Sequence, residues 1–173
     1  MAQLTEPELD ERIEVALAMF GYTLGNKNGS QKADLSPEEL ITEIISKETY
    51  HGIYFLGIPT VLDHTDIDYK KLCTMAVEKG LQQKLGYALD FAKKSFEKEG
   101  ITYGGMDKLN EAITRLQTYS ITDEGYLTIA KSEEYRRVIR ERAKKAGLNK
   151  WGVLGNTNIN KGGRNLRMYH ERP

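Results

Sequence analysis

Several residue types and patterns are scarce in this chain of 173 residues, and each scarcity excludes a class of protein. The single cysteine, Cys73, cannot form an internal disulfide, so a disulfide-stapled secreted domain is excluded. No run approaches the roughly 20 apolar residues that a membrane-spanning helix needs. Residues 1–11 are polar and acidic, unlike the apolar core of a signal peptide. We therefore expect a cytoplasmic protein without a membrane span, with Cys73 buried as a small apolar side chain.

Motifs for catalysis and metal binding are also missing. The chain contains no G-x-S-x-G, no P-loop and no G-x-G-x-x-G. Its three histidines lie far apart and share no ligand spacing with the cysteine, so we expect no zinc site and no cofactor. The carboxylates of residues 63–68, DHTDID, could hold a cation, but their place before a helical segment favours helix capping, with Thr65 or Asp66 as the cap. No catalytic residue is predicted, and an enzyme with an unrecognised site stays an alternative.

The spacing of apolar residues predicts a mainly α fold, a single-domain bundle of about six helices. The clearest helix runs from Leu81 to Glu99, and its inward face should hold Leu85, Ala88, Leu89 and Ala92. Five further helices are predicted near residues 5–20, 37–45, 67–79, 106–119 and 133–146. N-caps are predicted at Thr5, Ser36 and Ser132. Ser36 is followed by Pro37 and then by Glu39, the pattern of a capping box, and Thr5 has Glu8 in the same relation.

Three stretches lack a sustained helical period. Residues 49–66 could be extended segments or a helical turn, because periodicity alone does not choose between them. Residues 119–130, YSITDEGYLTIA, hold two β-prone runs around Gly125, which predicts a small β-hairpin. Residues 155–173 are rich in glycine, asparagine and basic residues. We therefore expect a helical domain over residues 1–154, followed at 155–173 by a basic Gly/Asn-rich C-terminal tail or short strands.

Charge is unevenly distributed although the net charge is zero. Residues 1–50 carry ten acids and four bases, whereas residues 131–173 carry four acids and twelve bases. Such asymmetry indicates either a basic surface that binds a polyanion or an internal pairing of the two ends of the chain. Both interpretations stay open at the level of sequence.

The basic stretch 135–151, YRRVIRERAKKAGLNKW, ends on the only tryptophan. With 100° per residue, one arc of its helix is apolar and should face the core, namely Tyr135, Val138, Ile139 and Ala143. An adjacent arc is basic and holds Arg136, Arg137, Arg140 and Lys144. A ridge of like charges costs a helix a few tenths of a kcal/mol per pair. A polyanion bound along the ridge would offset that cost by releasing its counterions.

The predicted nucleic-acid-binding residues are Arg136, Arg137, Arg140 and Lys144 of this helix, together with Lys161, Arg164 and Arg167 of the tail. Tyr169 and His170 add rings suited to base stacking. These residues predict a small cytosolic, nucleic-acid-associated regulatory protein without a cofactor. The alternative is a helical protein–protein adaptor without nucleic-acid binding, whose acidic N-terminal half and basic C-terminal half pair with each other.

Two segments carry a resemblance to a known family. The first covers Pro37, Glu38, Gly52, Ile53, residues 67–72, Ala76 and Leu85-Gly86-Tyr87, and the second is LNKWGVLGN at 148–156. Together they cover about a third of the chain and resemble the antitoxin family of abortive-infection (AbiE-type) type IV toxin–antitoxin systems. The resemblance implies a regulator that represses its own operon and opposes a nucleotidyltransferase-type toxin. It also implies a structural role for Gly86, which would allow close approach, and for Tyr87 beside it.

Overall fold

The computed structural model describes residues 6–24, 34–47, 52–155 and 158–170. Over these ranges the chain is mainly α, which confirms the predicted fold class. The elements of this part of the chain are α1 (Glu6–Met19), α2 (Pro37–Ser46), α3 (Ile58–His64), α4 (Tyr69–Glu78), α5 (Gln82–Glu99), α6 (Met106–Leu116), β1 (Gly125–Tyr126), α7 (Glu133–Lys145), β2 (Val153–Leu154) and α8 (Ile159–His170). A 3₁₀ turn over Phe55–Gly57 precedes α3, and another over Asn149–Trp151 precedes β2.

Helix α5 lies at the centre of the bundle and packs against α2, α3, α4, α6 and α8. The predicted inward face is confirmed, since four side chains are fully buried, namely Leu85, Ala88, Leu89 and Ala92. The helix ends at Gly100, whose φ of 63° is the left-handed conformation that favours glycine at a C-terminus. Cys73 of α4 is 3% exposed, as expected for a buried thiol, and burial raises its pKa.

Local capping signals set the starts of three helices. Ser36 Oγ accepts a hydrogen bond from Glu39 N at 3.2 Å, and Ser36 N donates to Glu39 Oε2 at 2.7 Å, which confirms the predicted capping box of α2. Ser132 Oγ accepts from Tyr135 N at 3.2 Å and caps α7, also as predicted. The acidic cluster at 63–68 does cap α4, but through Asp68, which accepts from Lys71 N at 3.0 Å, and not through the predicted Thr65 or Asp66. The predicted cap Thr5 lies outside the described residues.

The late β element differs from the predicted hairpin. β1 pairs with β2 in parallel, with Gly125 opposite Val153 and Tyr126 opposite Leu154. The hairpin prediction is therefore wrong, because the partner strand lies beyond α7 in the chain rather than across a tight turn. Among the described residues, a helical turn and α3 occupy most of the region 52–66 that periodicity left open.

Helix α8 corrects the prediction for the end of the chain. Residues 159–170 form a helix instead of a tail or short strands, and the helix packs along α5. Two glycines allow this packing, because a Cβ on Gly162 would lie 2.5 Å from Phe91 Cζ and one on Gly163 would lie 2.7 Å from Glu99 Oε1. Within the described ranges, no helix combines the length and the apolar composition that crossing a bilayer requires.

Candidate nucleic-acid interface

The seven predicted basic residues fall into two groups in the structure. The charged groups of three bind other residues of the chain, and the other four are exposed. Arg140 of α7 belongs to the first group. Its Nε and Nη2 donate to the two carboxylate oxygens of Glu124, both at 3.0 Å, and its Nη1 donates to Glu133 Oε1 at 2.7 Å. The bond from Arg140 holds the pKa of the Glu124 carboxyl below its usual range, and Glu124 in turn raises the pKa of Arg140. A guanidinium so occupied offers little to a phosphate.

Arg136 and Arg167 are also occupied. Arg136 Nε donates to the Ala130 carbonyl at 2.9 Å, and its guanidinium lies over the ring of Tyr126, 5.7 Å from the centroid. The same guanidinium lies 3.7 Å from Glu133. Arg167 of α8 binds Glu99 twice, through Nε to Oε2 at 2.7 Å and through Nη2 to the backbone carbonyl at 3.0 Å. Arg136 therefore links α7 to the preceding loop, and Arg167 links α8 to α5.

The other four predicted residues point into solvent. Arg137 and Lys144 of α7 and Lys161 and Arg164 of α8 are all exposed. The charged groups of these four side chains make no ion pair and no hydrogen bond with another described residue. On α8, Lys161 and Arg164 are three residues apart, so they share one face of that helix. No acidic residue occurs in α8 itself. These cations are therefore available to an external anion.

Two adjoining hollows connect the exposed sides of α7 and α8. The first, of about 490 Å³, lies along α7 and is lined by Arg137, Val138, Glu141, Arg142 and Lys145. The second, of about 430 Å³, shares Arg142 and Lys145 with the first and reaches Asn158, Ile159 and Asn160 at the start of α8. We call this continuous concave region the α7–α8 surface. It contains three basic side chains and a single carboxylate, Glu141.

Arg142 and Lys145 of this surface were not among the predicted site residues. They lie in the same basic stretch, but the helical wheel predicted binding along the ridge of Arg136, Arg140 and Lys144. The sequence signal that could have identified them is their spacing of three residues, which places both on one face near the end of a helix that Gly147 terminates. The wheel also misplaced Val138, which is 39% exposed, because the buried side of α7 is centred on Ile139 and Ala143.

The aromatic residues predicted to stack on bases have other partners. Tyr169 is 7% exposed, donates its hydroxyl to the Thr23 carbonyl at 2.9 Å and packs edge-on against Tyr22. His170 Nδ1 lies 2.7 Å from Asp63 Oδ2. Both side chains attach the end of α8 to the bundle, so neither adds a stacking platform to the basic residues.

Among the described residues, the ion pairs of the predicted basic residues do not reach the acidic stretch 1–50. The ion pairs of Arg136, Arg140 and Arg167 go to acids at positions 99, 124 and 133, all outside residues 1–50. Within the described part of the N-terminal half, acids pair with nearby cations, as in Arg12 with Asp34 and Lys79 with Glu43. These contacts between described residues do not include a pairing of the two ends of the chain, and the adaptor alternative stays a prediction.

Another cavity of the described structure lies elsewhere, in a groove between α4 and α6. It measures about 560 Å³, and among its lining residues are Asp66, Lys70, Lys108, Glu111 and Arg115. Its mixture of charges does not favour a polyanion. No group of three His, Cys, Asp or Glu among the described residues is placed to hold a metal ion.

The two segments that carry the family resemblance meet in the structure. Trp151 lies on Gly86 of α5, where an added Cβ would approach its ring to 2.0 Å, and Tyr87 donates its hydroxyl to the Gly155 carbonyl at 3.4 Å. Gly86 therefore accommodates an indole ring. Comparison of the chain with protein-family models, with curated proteins and with solved structures finds no match.

Proposed function

We propose that this chain is a small cytosolic, nucleic-acid-associated regulatory protein that binds a polyanion at the α7–α8 surface. The observation that carries the proposal is the concave region lined by Arg137, Arg142 and Lys145 with one carboxylate. Lys161 and Arg164 extend the positive charge along the exposed face of α8. A phosphate chain crossing this region would replace the repulsion between neighbouring cations with contacts that release condensed counterions.

The proposal uses a different set of cations from the ridge that the helical wheel favoured. Arg140 and Arg136 already bind carboxylates or a carbonyl, and a phosphate would have to displace those partners. A phosphate that binds Arg137, Lys145 and Lys161 displaces no such partner, since no contact with a described residue occupies their charged groups. Polar side chains at the start of α8, Asn158 and Asn160, are of the type that contacts phosphate and sugar oxygens.

A pair of charge-matched variants tests the proposal. The first replaces Arg137, Lys145 and Lys161 by Gln, and the second replaces Lys70, Lys108 and Arg115 of the α4–α6 groove by Gln. Each triple removes three positive charges, so any difference between them reports location rather than net charge. Affinity for a fluorescein-labelled DNA duplex is measured by anisotropy at about 50 mM salt, where phosphate contacts are strong.

We expect the α7–α8 triple to bind roughly 10- to 100-fold more weakly than the wild type, since three exposed charge contacts are lost. The α4–α6 triple should bind within a few-fold of the wild type. No binding by the wild type to duplex DNA, single-stranded DNA or RNA at this salt would reject the proposal. Equal losses in the two triples would show that net charge, and not the α7–α8 surface, determines binding.

A further inference from the structure

Residues 125–154, which contain β1, α7 and β2, have only a small apolar cluster of their own. Its buried members are Ala130, Ile139 and Leu154, with Tyr126 and Tyr135 packed beside them. Full burial of an Ile or Leu side chain contributes about 1.5–3 kcal/mol. Ordering some thirty residues costs far more than that, at about 1–2 kcal/mol per residue for the backbone. This segment therefore depends on its attachment to the main bundle.

The attachment is centred on Trp151, the only tryptophan of the chain. Its ring is 3% exposed and lies on Gly86 of α5, whose missing Cβ provides the space. Its Nε1 donates to Asp90 Oδ2 at 2.9 Å, one turn further along α5. Leu148 and Val153, on either side of the tryptophan, join the same large core.

Charge reinforces the attachment. Asp90 is 3% exposed, and a carboxylate so deeply buried requires partners. Besides the indole N–H, it has Lys150 Nζ at 3.0 Å and Lys94 Nζ at 3.7 Å. Lys150 belongs to the attached segment and Lys94 to α5, so the carboxylate binds both sides of the junction. Displacing Trp151 would leave the buried carboxylate without its indole donor.

We infer that residues 125–154 dock on α5 as one unit through Trp151, and that polyanion binding at the α7–α8 surface is coupled to this docking. The inference rests on the proposed function. The surface takes Arg137, Arg142 and Lys145 from the docked unit and Asn158 and Asn160 from the start of α8, which packs on α5 independently. The concave surface therefore exists only while the unit is docked.

Thermodynamic linkage sets the expected magnitude of the coupling between ligand binding and docking. A ligand that binds only the docked arrangement reduces the open fraction by a factor of 1 + [L]/Kd, about 100-fold at a ligand concentration of 100 Kd. Hydrogen exchange measured by mass spectrometry on the full chain, with and without a short DNA duplex, reads this factor. We expect amides of 133–145 and 149–154 to slow by up to that factor, while amides of 106–116 in α6 change little.

A variant of the junction tests the reverse direction. Gly86→Ala adds a methyl group where the indole lies and changes no charge, and Gly104→Ala is its control, because nothing lies within 4 Å of an added Cβ at that position. Gly86→Ala should increase acrylamide quenching of Trp151 and weaken duplex binding at least tenfold. The slope of log K against log salt should not change, since every phosphate contact is still made once the unit docks.

Each alternative outcome decides a separate point. Increased quenching with unchanged duplex affinity would overturn the coupling, as would duplex binding that leaves exchange in 133–145 unaltered. If the wild type binds no nucleic acid, the proposed function fails, and the quenching of Gly86→Ala alone then decides whether Trp151 holds the unit. Should Gly86→Ala not fold, Asp90→Asn replaces it, with Glu111→Gln as the charge-matched control, and the same coupled loss of docking and affinity is expected.

Discussion

Replacing Gly162 by Ala tests how α8 is attached to the bundle. Alanine is favoured over glycine inside a helix by about 0.5–1 kcal/mol, so in an isolated helix the change would stabilise. In the structure, however, the added Cβ would lie 2.5 Å from Phe91 Cζ and 3.0 Å from Ser95 Oγ, and both side chains are fully buried in α5. Overpacking of this kind costs about 1–3 kcal/mol.

The packing cost should exceed the gain in helix propensity, so Gly162→Ala should lower the free energy of unfolding by about 1–2 kcal/mol. Urea denaturation followed by far-UV circular dichroism measures the change, with Gly104→Ala as the control in open space. A variant as stable as the wild type, or more stable, would refute the reasoning. That result would mean that residues 159–170 do not pack against α5 and instead behave as the predicted tail.

Three further predictions concern the core, a helix cap and alkaline stability. Leu85→Ala should cost about 2–5 kcal/mol in urea denaturation, as expected for a fully buried leucine, and a loss below roughly 0.5 kcal/mol would place the residue at the surface. Ser36→Ala should cost about 1 kcal/mol by removing the bond to Glu39 N, whereas an unchanged unfolding midpoint would contradict the cap. Burial raises the pKa of Tyr22 to about 12, so its contribution to stability is complete below pH 10, the ordinary tyrosine value, and is lost as the pH rises towards 12. Tyr22→Phe should therefore reduce the fall in the urea midpoint above pH 10, and parallel pH profiles of variant and wild type would contradict that assignment.

Sequence predicted the elements whose signals are local. Ser36 and Ser132 form their caps within three residues, and the inward face of α5 follows from a spacing of three and four residues. α8 was missed because Gly162 and Gly163 disfavour a helix by propensity, and the gain from packing against Phe91 depends on a residue far away in the chain. The parallel pairing of β1 with β2 is equally nonlocal.

The same distinction between local signals and nonlocal contacts applies to the candidate site. The basic character of residues 131–173 was visible in the sequence, and so was the exposure of Arg137 and Lys144. The neutralisation of Arg140 by Glu124 and of Arg167 by Glu99 was not, because these acids lie sixteen and sixty-eight residues away. A helical wheel reports which side chains share a face. It does not report which of them already have a partner.

The salt dependence of duplex binding tests the central claim most directly, using the two charge-matched triples described above. Log K should fall linearly with log salt, with a slope of about −0.9 for each phosphate contacted. Replacing Arg137, Lys145 and Lys161 by Gln should flatten the slope by about 2–3 units relative to the wild type. Replacing Lys70, Lys108 and Arg115 should leave it unchanged. An unchanged slope in the first triple, or equal flattening in both, would contradict the claim that nucleic acid binds at the α7–α8 surface.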